Sequence, residues 1–221
     1  MEFRISDSFT NGLAKLTGEE QKAVKTTAFD LQMNPENPGH SFHKLDRAQD
    51  KNFWSVRVNR DIRIIVHRSN SSLLLCYVAH HDDAYKWAEK RKLETHPKTG
   101  AAQLVEIRER VEEIRIPYFV SADVPAINKP LLFDKLKDDE LLAYGVPPEW
   151  LADVKKANED FILELANHLP AEAGEALLEI AVGGTPTISA LVSAQANPFD
   201  HPDAQRRFRV MSDVEELERA L

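Results

Sequence analysis

The stretch FWSVRVNRDIRIIVHRSNSSLLLCYVAHHDDAYKW, residues 53 to 87, constrains the fold of this chain more than any other. It holds three short segments rich in Val, Ile, Leu and aromatic residues, Trp54 to Val58, Ile62 to Arg68 and Ser72 to Ala79. The polar turns Asn59-Arg60-Asp61 and Ser69-Asn70-Ser71 separate them. β-branched and aromatic residues suit a pleated, half-buried surface, and polar connections this short join neighbouring antiparallel strands. The run therefore predicts a meander. Side chains alternate faces along a strand, so Arg57 and Ser55 share a face opposite Trp54, Val56 and Val58, and Arg63, Ile65 and His67 share a face of the next strand. This spacing predicts two guanidinium groups side by side. Their fork of donors matches phosphate oxygens, which points to a phosphate clamp. The alternative for the same residues is a solvated face on which the arginines pair with Asp46, Asp50 or Asp61.

The flanks extend the pattern. Glu2 to Ser6 predicts a first strand, and Asp7 or Ser8 predicts the cap of a short helix that buries Phe9, Leu13 and Leu16. Thr17 to Glu20 has capping-box spacing and opens a second helix, with Val24, Ala28, Phe29 and Leu31 as its apolar stripe. This helix must stop before Pro35 and Pro38. Ser41 to Leu45 predicts a further strand, and Asp83 to Lys92 a closing helix capped by Asp82 or Asp83. Strand, two helices, antiparallel strands and helix make an α+β sandwich.

Length and charge set the wider frame. The 221 residues suffice for two small domains, and no apolar run approaches membrane-spanning length. The start MEFRISDSF lacks a basic stretch followed by an apolar one, so no secretory signal is read there and a cytoplasmic setting is expected. The single cysteine, Cys76, lies within an apolar strand, as a buried structural thiol does. Residues 1 to 95 carry 15 Lys and Arg against 13 Asp and Glu, a balance of +2, whereas residues 96 to 221 carry 13 against 23, a balance of −10. The acidic excess belongs to the second half.

That half follows a linker at Thr95 to Gly100 and predicts a helix on Leu104, Ile107, Val111 and Ile114. Pro117, Pro125 and Pro130 mark an irregular crossing. Asp138 to Tyr144 predicts a helix ended by Gly145, Pro147-Pro148 starts another, and Phe161 to His168 and Ala171 to Val182 complete a bundle ended by Gly183-Gly184. Ser189 to Pro198 is weakly patterned. The expected organisation is an α+β domain over 1 to 95 and a mainly α-helical domain over 101 to 221. No GxxxxGK[ST] loop occurs, so the chain carries no nucleotide-driven motor motif. His168 reads as a helix C-terminal residue. His80-His81-Asp82-Asp83, with His40 and His43, contains metal-ligand residue types. Neighbouring strand residues face opposite ways, however, so no metal and no cofactor is expected.

The residues His43-Lys44-Leu45, Phe53 to Val66, Leu73 to His81 and Tyr85 together resemble the RelE/ParE superfamily of small bacterial toxins, in particular the ribosome-associated mRNA interferases RelE and YoeB. The resemblance covers about two fifths of the chain and implies a RelE-like antiparallel sheet with two N-terminal helices and a closing helix. It also implies metal-independent RNA cleavage, in which a base activates the 2′-hydroxyl, cations stabilise the phosphorane and an acid protonates the leaving oxygen. On that resemblance Arg63 stabilises the transition state, Arg57 binds phosphate and His81 is the general acid. His43 stands where the pattern has a glutamate base, and Asp82 where it has a tyrosine. Arg57, Arg60, Arg63, Arg68 and Lys44 would form the nucleic-acid-binding set, and the implied partners are RNA or DNA and the ribosome, with no membrane.

Asp200 to Phe208 followed by Val214 to Leu221, with Gly145 to Leu151, is similar to the region ahead of the ATPase core in bacterial UvrD/Rep-like DNA helicases. Arg206-Arg207-Phe208-Arg209 within it is either a solvated basic helix end or a contact with nucleic acid or another domain. Three readings stay open: a nucleic-acid-binding module of a helicase whose motor lies outside this chain, an endoribonuclease toxin restrained by its own acidic half as an antitoxin in cis, and a catalytically inactive scaffold for protein contacts.

Overall fold

Ser6 is the point at which the first strand becomes a helix. Glu2–Ser6 forms β1 and Asp7–Leu13 forms α1, whose first turn is capped by the Ser6 hydroxyl accepting from the Phe9 amide at 3.1 Å. The expected caps, Asp7 and Ser8, lie one and two residues further on. Ser6 takes the role because its backbone is still extended, as an N-cap requires. The structure, a computed structural model, describes residues 1–35, 37–108, 129–188 and 197–221. Val111, Ile114, Pro117, Pro125 and most of the 189–198 stretch therefore lie outside the described residues.

Gly18–Met33 forms α2. Both halves of the Thr17–Glu20 capping box are made, Glu20 N donating to Thr17 Oγ1 and Thr17 N to the Glu20 carboxylate, and the helix stops two residues before Pro35. A meander follows: β2, Phe42–Lys44; β3, Phe53–Arg57; β4, Ile62–Arg68; and β5, Ser72–His80, each antiparallel to the next. The helix α3, His81–Glu89, begins two residues earlier than expected. Its N-cap is His80, with no side-chain bond, and Asp82 and Asp83 sit in the first turn, where carboxylates meet the positive end of the helix dipole. Arg91 and Lys92 leave the expected helix for a strand, β6, Arg91–Thr95, which pairs with β7, Ala102–Glu106. Leu104 thus lies on a strand, not on a helix.

The expectation of an antiparallel sheet needs correction. With Phe208–Val210 as β8, the strand order is β2-β3-β4-β5-β1-β8, and β1 runs parallel to β5, with Phe3 opposite Leu73 and Ile5 opposite Leu75. A parallel pair requires a long crossover, which α1, α2 and the meander together supply. The outer strand β8, Phe208–Val210, pairs antiparallel with β1. Where the sequence predicts one helical domain from 101 to 221, the structure instead returns the end of the chain to the first sheet. Around β8 lie α8, Pro202–Arg207, and α9, Val214–Ala220.

The sheet is covered on both faces. On one, Val56, Ile62, Ile64, Val66, Leu73 and Leu75 bury against Phe9 and Leu13 of α1 and Val24, Ala28 and Leu31 of α2. On the other, Phe53, Ile65, Leu74 and Cys76 pack with Ala84 and Ala88 of α3 and with Phe208. Double coverage explains why neighbours such as Ile64 and Ile65 are both fully buried, and why the sequence runs apolar there without alternation. The β4–β5 register slips at Cys76. Its carbonyl accepts from the Ser6 and Ser8 hydroxyls at 2.8 and 2.7 Å, which satisfies the backbone at the bulge.

The described residues divide into two compact units, with 1–95, 101–104 and 197–221 in the first and 96–100, 105–108 and 129–188 in the second. The second contains α4, Asp138–Ala143; α5, Leu151–Lys156; α6, Ile162–His168; and α7, Ala171–Ala181. Phe133, Leu141, Val146, Trp150, Val154, Ile162 and Leu177 form its core. Gly145 and Gly183 adopt positive φ at the expected helix ends. The expected linker contributes a structural residue, since buried His96 accepts from the Lys98 and Thr99 amides and bonds the Val146 carbonyl through Nε2.

Candidate nucleic-acid interface

The ladder between β3 and β4 places Arg57 directly opposite Arg63. Both guanidiniums converge on one backbone oxygen: Arg57 Nε donates to the Asn59 carbonyl at 3.1 Å and Arg63 Nη1 to the same oxygen at 2.9 Å. Arg63 Nη1 also lies 2.9 Å from the Ile62 carbonyl. The Asn59 side chain accepts from the Asp61 and Ile62 amides and so fixes the turn that carries this carbonyl. Among the described residues neither arginine forms an ion pair with a carboxylate, and Asp50, one of the alternative partners, pairs with His67 instead. Arg57 and Arg60 are exposed and Arg63 is half-buried. The pair is preorganised by neutral acceptors and keeps its positive charge uncompensated, which suits an anion.

A cleft of about 600 Å³ opens along the same sheet face, lined by His43, Lys44, Arg47, His81, Tyr85 and Lys86 among others. His43 stands opposite Ser55 in the β2–β3 register, one same-face position from Arg57. Ser41, just ahead of β2, has a left-handed backbone that turns the chain into this strand. From α3, Tyr85 reaches down to share a 3.2 Å hydroxyl–hydroxyl bond with buried Ser55, and its ring meets His81 edge-on at 4.3 Å. His81 Nδ1 lies 2.8 Å from an Asp82 oxygen. That hydrogen bond, and then the charge of the imidazole, hold the Asp82 carboxyl below the usual carboxylate range. His43 and His81, remote in sequence, thus line one cleft. Tyr85 is a cleft residue to which sequence reasoning gave no role. The signal for Tyr85 was its position four residues after His81, one helical turn along α3.

The rest of the predicted basic set divides. Arg60 lies in the β3–β4 turn with the arginine pair. Arg68 is five positions from Arg63 on β4 and so points to the opposite face, where its guanidinium sits 4.8 Å from the Phe42 ring. Lys44 lines the cleft, but its ammonium lies over Trp54 at 5.8 Å. His80 turns to Glu20 and His40 to the Asn34 carbonyl, away from His81. Among the described residues no group of three or more His, Cys, Asp or Glu is arranged to hold a metal ion. No helix among them is long and apolar enough to cross a membrane.

Two further groups on this face are structural. Burial raises the Asp50 carboxyl, but hydrogen bonds from His67 and from the Asn52 and Leu93 amides outweigh it and leave a net lowering. Burial pushes the Cys76 thiol far up, so it is a packing group. In the second unit His168 ends α6, stacks on Trp150 at 5.8 Å and pairs with Glu106 at 3.3 Å. In the first, Arg207 is buried and donates to the Ala102 carbonyl at 3.0 Å, so this part of the expected basic helix end is internal.

No protein-family model matches the chain, and no curated protein matches it. Among solved structures, the RelB-RelE antitoxin-toxin complex from Methanococcus jannaschii is similar at 17% identity and a TM-score of 0.33, over 38% of this chain and 95% of that one. The conserved hypothetical protein HP0894 from Helicobacter pylori is similar at 17% identity and a TM-score of 0.30, over 37% of this chain and 96% of that one.

Proposed function

We propose that the first unit is a RelE-like module that binds the phosphates of a nucleic acid through Arg57 and Arg63. The observation that carries this reading is the direct pairing of the two arginines on one carbonyl oxygen, with no carboxylate partner among the described residues. Each guanidinium retains unused N–H donors for phosphate oxygens, and the exposed turn leaves room for an extended strand.

RNA cleavage is the second reading, favoured by His43 and His81 lining the same cleft. Asp82 engages His81 Nδ1, so Nε2 is the atom free to pass a proton to a leaving 5′-oxygen. His43 would take the 2′-hydroxyl proton, and Arg63 would stabilise the phosphorane. A helicase motor is the partner we propose from the resemblance of residues 200 to 221, which lie in the first unit around β8.

The test uses the full chain with labelled single-stranded RNA and DNA across a salt series. Double substitution Arg57→Ala/Arg63→Ala is expected to weaken binding roughly 10- to 100-fold and to lower the salt slope by about 1.4, the value for two lost phosphate contacts on a single strand. Unchanged affinity and slope would refute the assignment. The same RNA, incubated with and without translating ribosomes, reads out cleavage. Product that disappears in His81→Ala and in Arg63→Ala marks an endoribonuclease, whereas binding with no product marks a recognition module.

A further inference from the structure

We infer that Ser55 and Tyr85 are positioning residues, a strut from the sheet to α3 that fixes the His81 imidazole with Nε2 left to meet substrate. This rests on the cleavage reading above and deepens it, since a general acid acts only when its proton lies on the path to the leaving oxygen. Two contacts border the His81 ring. Asp82 accepts from Nδ1 at 2.8 Å, but its side chain is 85% exposed and that of His81 46%, so water competes for both ends of the pair. An exposed pair of neighbours orients a ring only loosely. The firmer contact is with Tyr85, whose ring meets the imidazole edge-on, at 4.3 Å between centroids and 82° between planes.

Tyr85 is itself anchored at its far end. Its hydroxyl lies 3.2 Å from that of Ser55, which is 1% exposed and whose side chain has no other hydrogen bond among the described residues. Ser55 is flanked along β3 by Trp54 and Val56 and across the sheet by His43 and Ile65. A buried hydroxyl in such a strand is unfavourable unless it is bonded, and packing alone would be served by alanine. The hydroxyl is there to tether Tyr85. Because Ser55 is also the cross-strand partner of His43, the strut links the proposed base to the proposed acid: His43 beside Ser55, Ser55 bonded to Tyr85, Tyr85 against His81. The backbone completes the frame. The His81 amide donates to the Asp61 carbonyl at 2.7 Å, in the turn whose Asn59 carbonyl orients Arg57 and Arg63. His81 is fixed by its backbone to the arginine turn and by its ring to the His43 strand pair, and the four-residue spacing from His81 to Tyr85 lets α3 present both on one face.

The experiment uses the full chain, labelled mRNA and translating ribosomes, with Tyr85→Phe and Ser55→Ala, each of which removes one hydroxyl oxygen and leaves both rings in place. Each variant is expected to lower kcat roughly 10- to 100-fold with KM unchanged. The double variant Ser55→Ala/Tyr85→Phe should lose no more than either alone, because both substitutions break the same bond. A second readout comes from NMR of the same proteins. The Tyr85 ring current displaces the carbon-bound protons of the His81 imidazole, and both single variants are expected to move those signals toward their positions in Tyr85→Leu, while amide signals outside the cleft stay in place. A lowered urea midpoint with kcat and the imidazole signals unchanged would mean that the two residues only pack, and would overturn the strut. So would losses that multiply in the double variant, or imidazole signals that do not move in Tyr85→Leu. Each of these outcomes leaves the cleavage reading standing, whereas an unaltered chain that yields no product would overturn both.

Discussion

Asp50 shows how one residue read as a surface charge becomes part of the frame. The sequence allowed it to pair with the sheet arginines, but its carboxylate instead takes hydrogen bonds from His67 and from two backbone amides, leaving Arg57 and Arg63 to face outward. Its carboxyl is lowered from the ordinary 3.8, so its contribution is complete above the unfolded carboxylate range and is lost as pH falls through the lower folded value. Asp50→Asn should cost about 1–2 kcal/mol in urea unfolding at neutral pH, and the gap to the unaltered chain should close below about pH 4. A gap that persists unchanged at low pH would show that the ionised form is not what stabilises. Cys76 gives a second expectation at this scale. Its thiol is fully buried and pushed up, so alkylation with iodoacetamide should require denaturant, and rapid native labelling would contradict the packing described.

At the scale of elements, boundaries were legible wherever local chemistry sets them. Thr17 and Glu20 announced the start of α2 because a capping box involves only neighbours in sequence, and Pro35 announced its end. Thr17→Ala should lower stability by about 1 kcal/mol, read from the urea midpoint. The start of α3 was misplaced because His80 closes the strand and also serves as N-cap without a capping side chain, a geometry that residue preference does not report. Gly12 is the sharper case. Helix propensity alone says that Gly12→Ala should stabilise α1 by about 1 kcal/mol, yet the new Cβ would meet the Val78 carbonyl of β5. A net destabilisation of about 1–3 kcal/mol is expected, and a stabilised variant would mean that α1 does not approach β5 so closely.

For the molecule as a whole, the decisive contact is β8 against β1, which closes the first sheet with residues from the far end of the chain. Met211 and Leu217 bury in the same core as Phe3, Ile5 and Val24, and Gln32 donates to the Met211 and Asp213 carbonyls. A fragment of residues 1 to 95 would uncover that core and the outer edge of β1. It should show a lower thermal midpoint and aggregate on purification, and a fragment as stable as the full chain would show that β8 and α9 are dispensable. By itself the sequence determined the strand and helix periods, the capping box, the glycine-ended helices of the second unit and the opposition of Arg57 to Arg63, because these depend on neighbours and on a short hairpin register. Only the tertiary structure decided that β1 runs parallel to β5, that β8 completes the sheet, that Tyr85 reaches Ser55 and that His43 and His81 share a cleft. Those pairings join residues far apart along the chain. Their cost in chain entropy is met by burial that no local window contains.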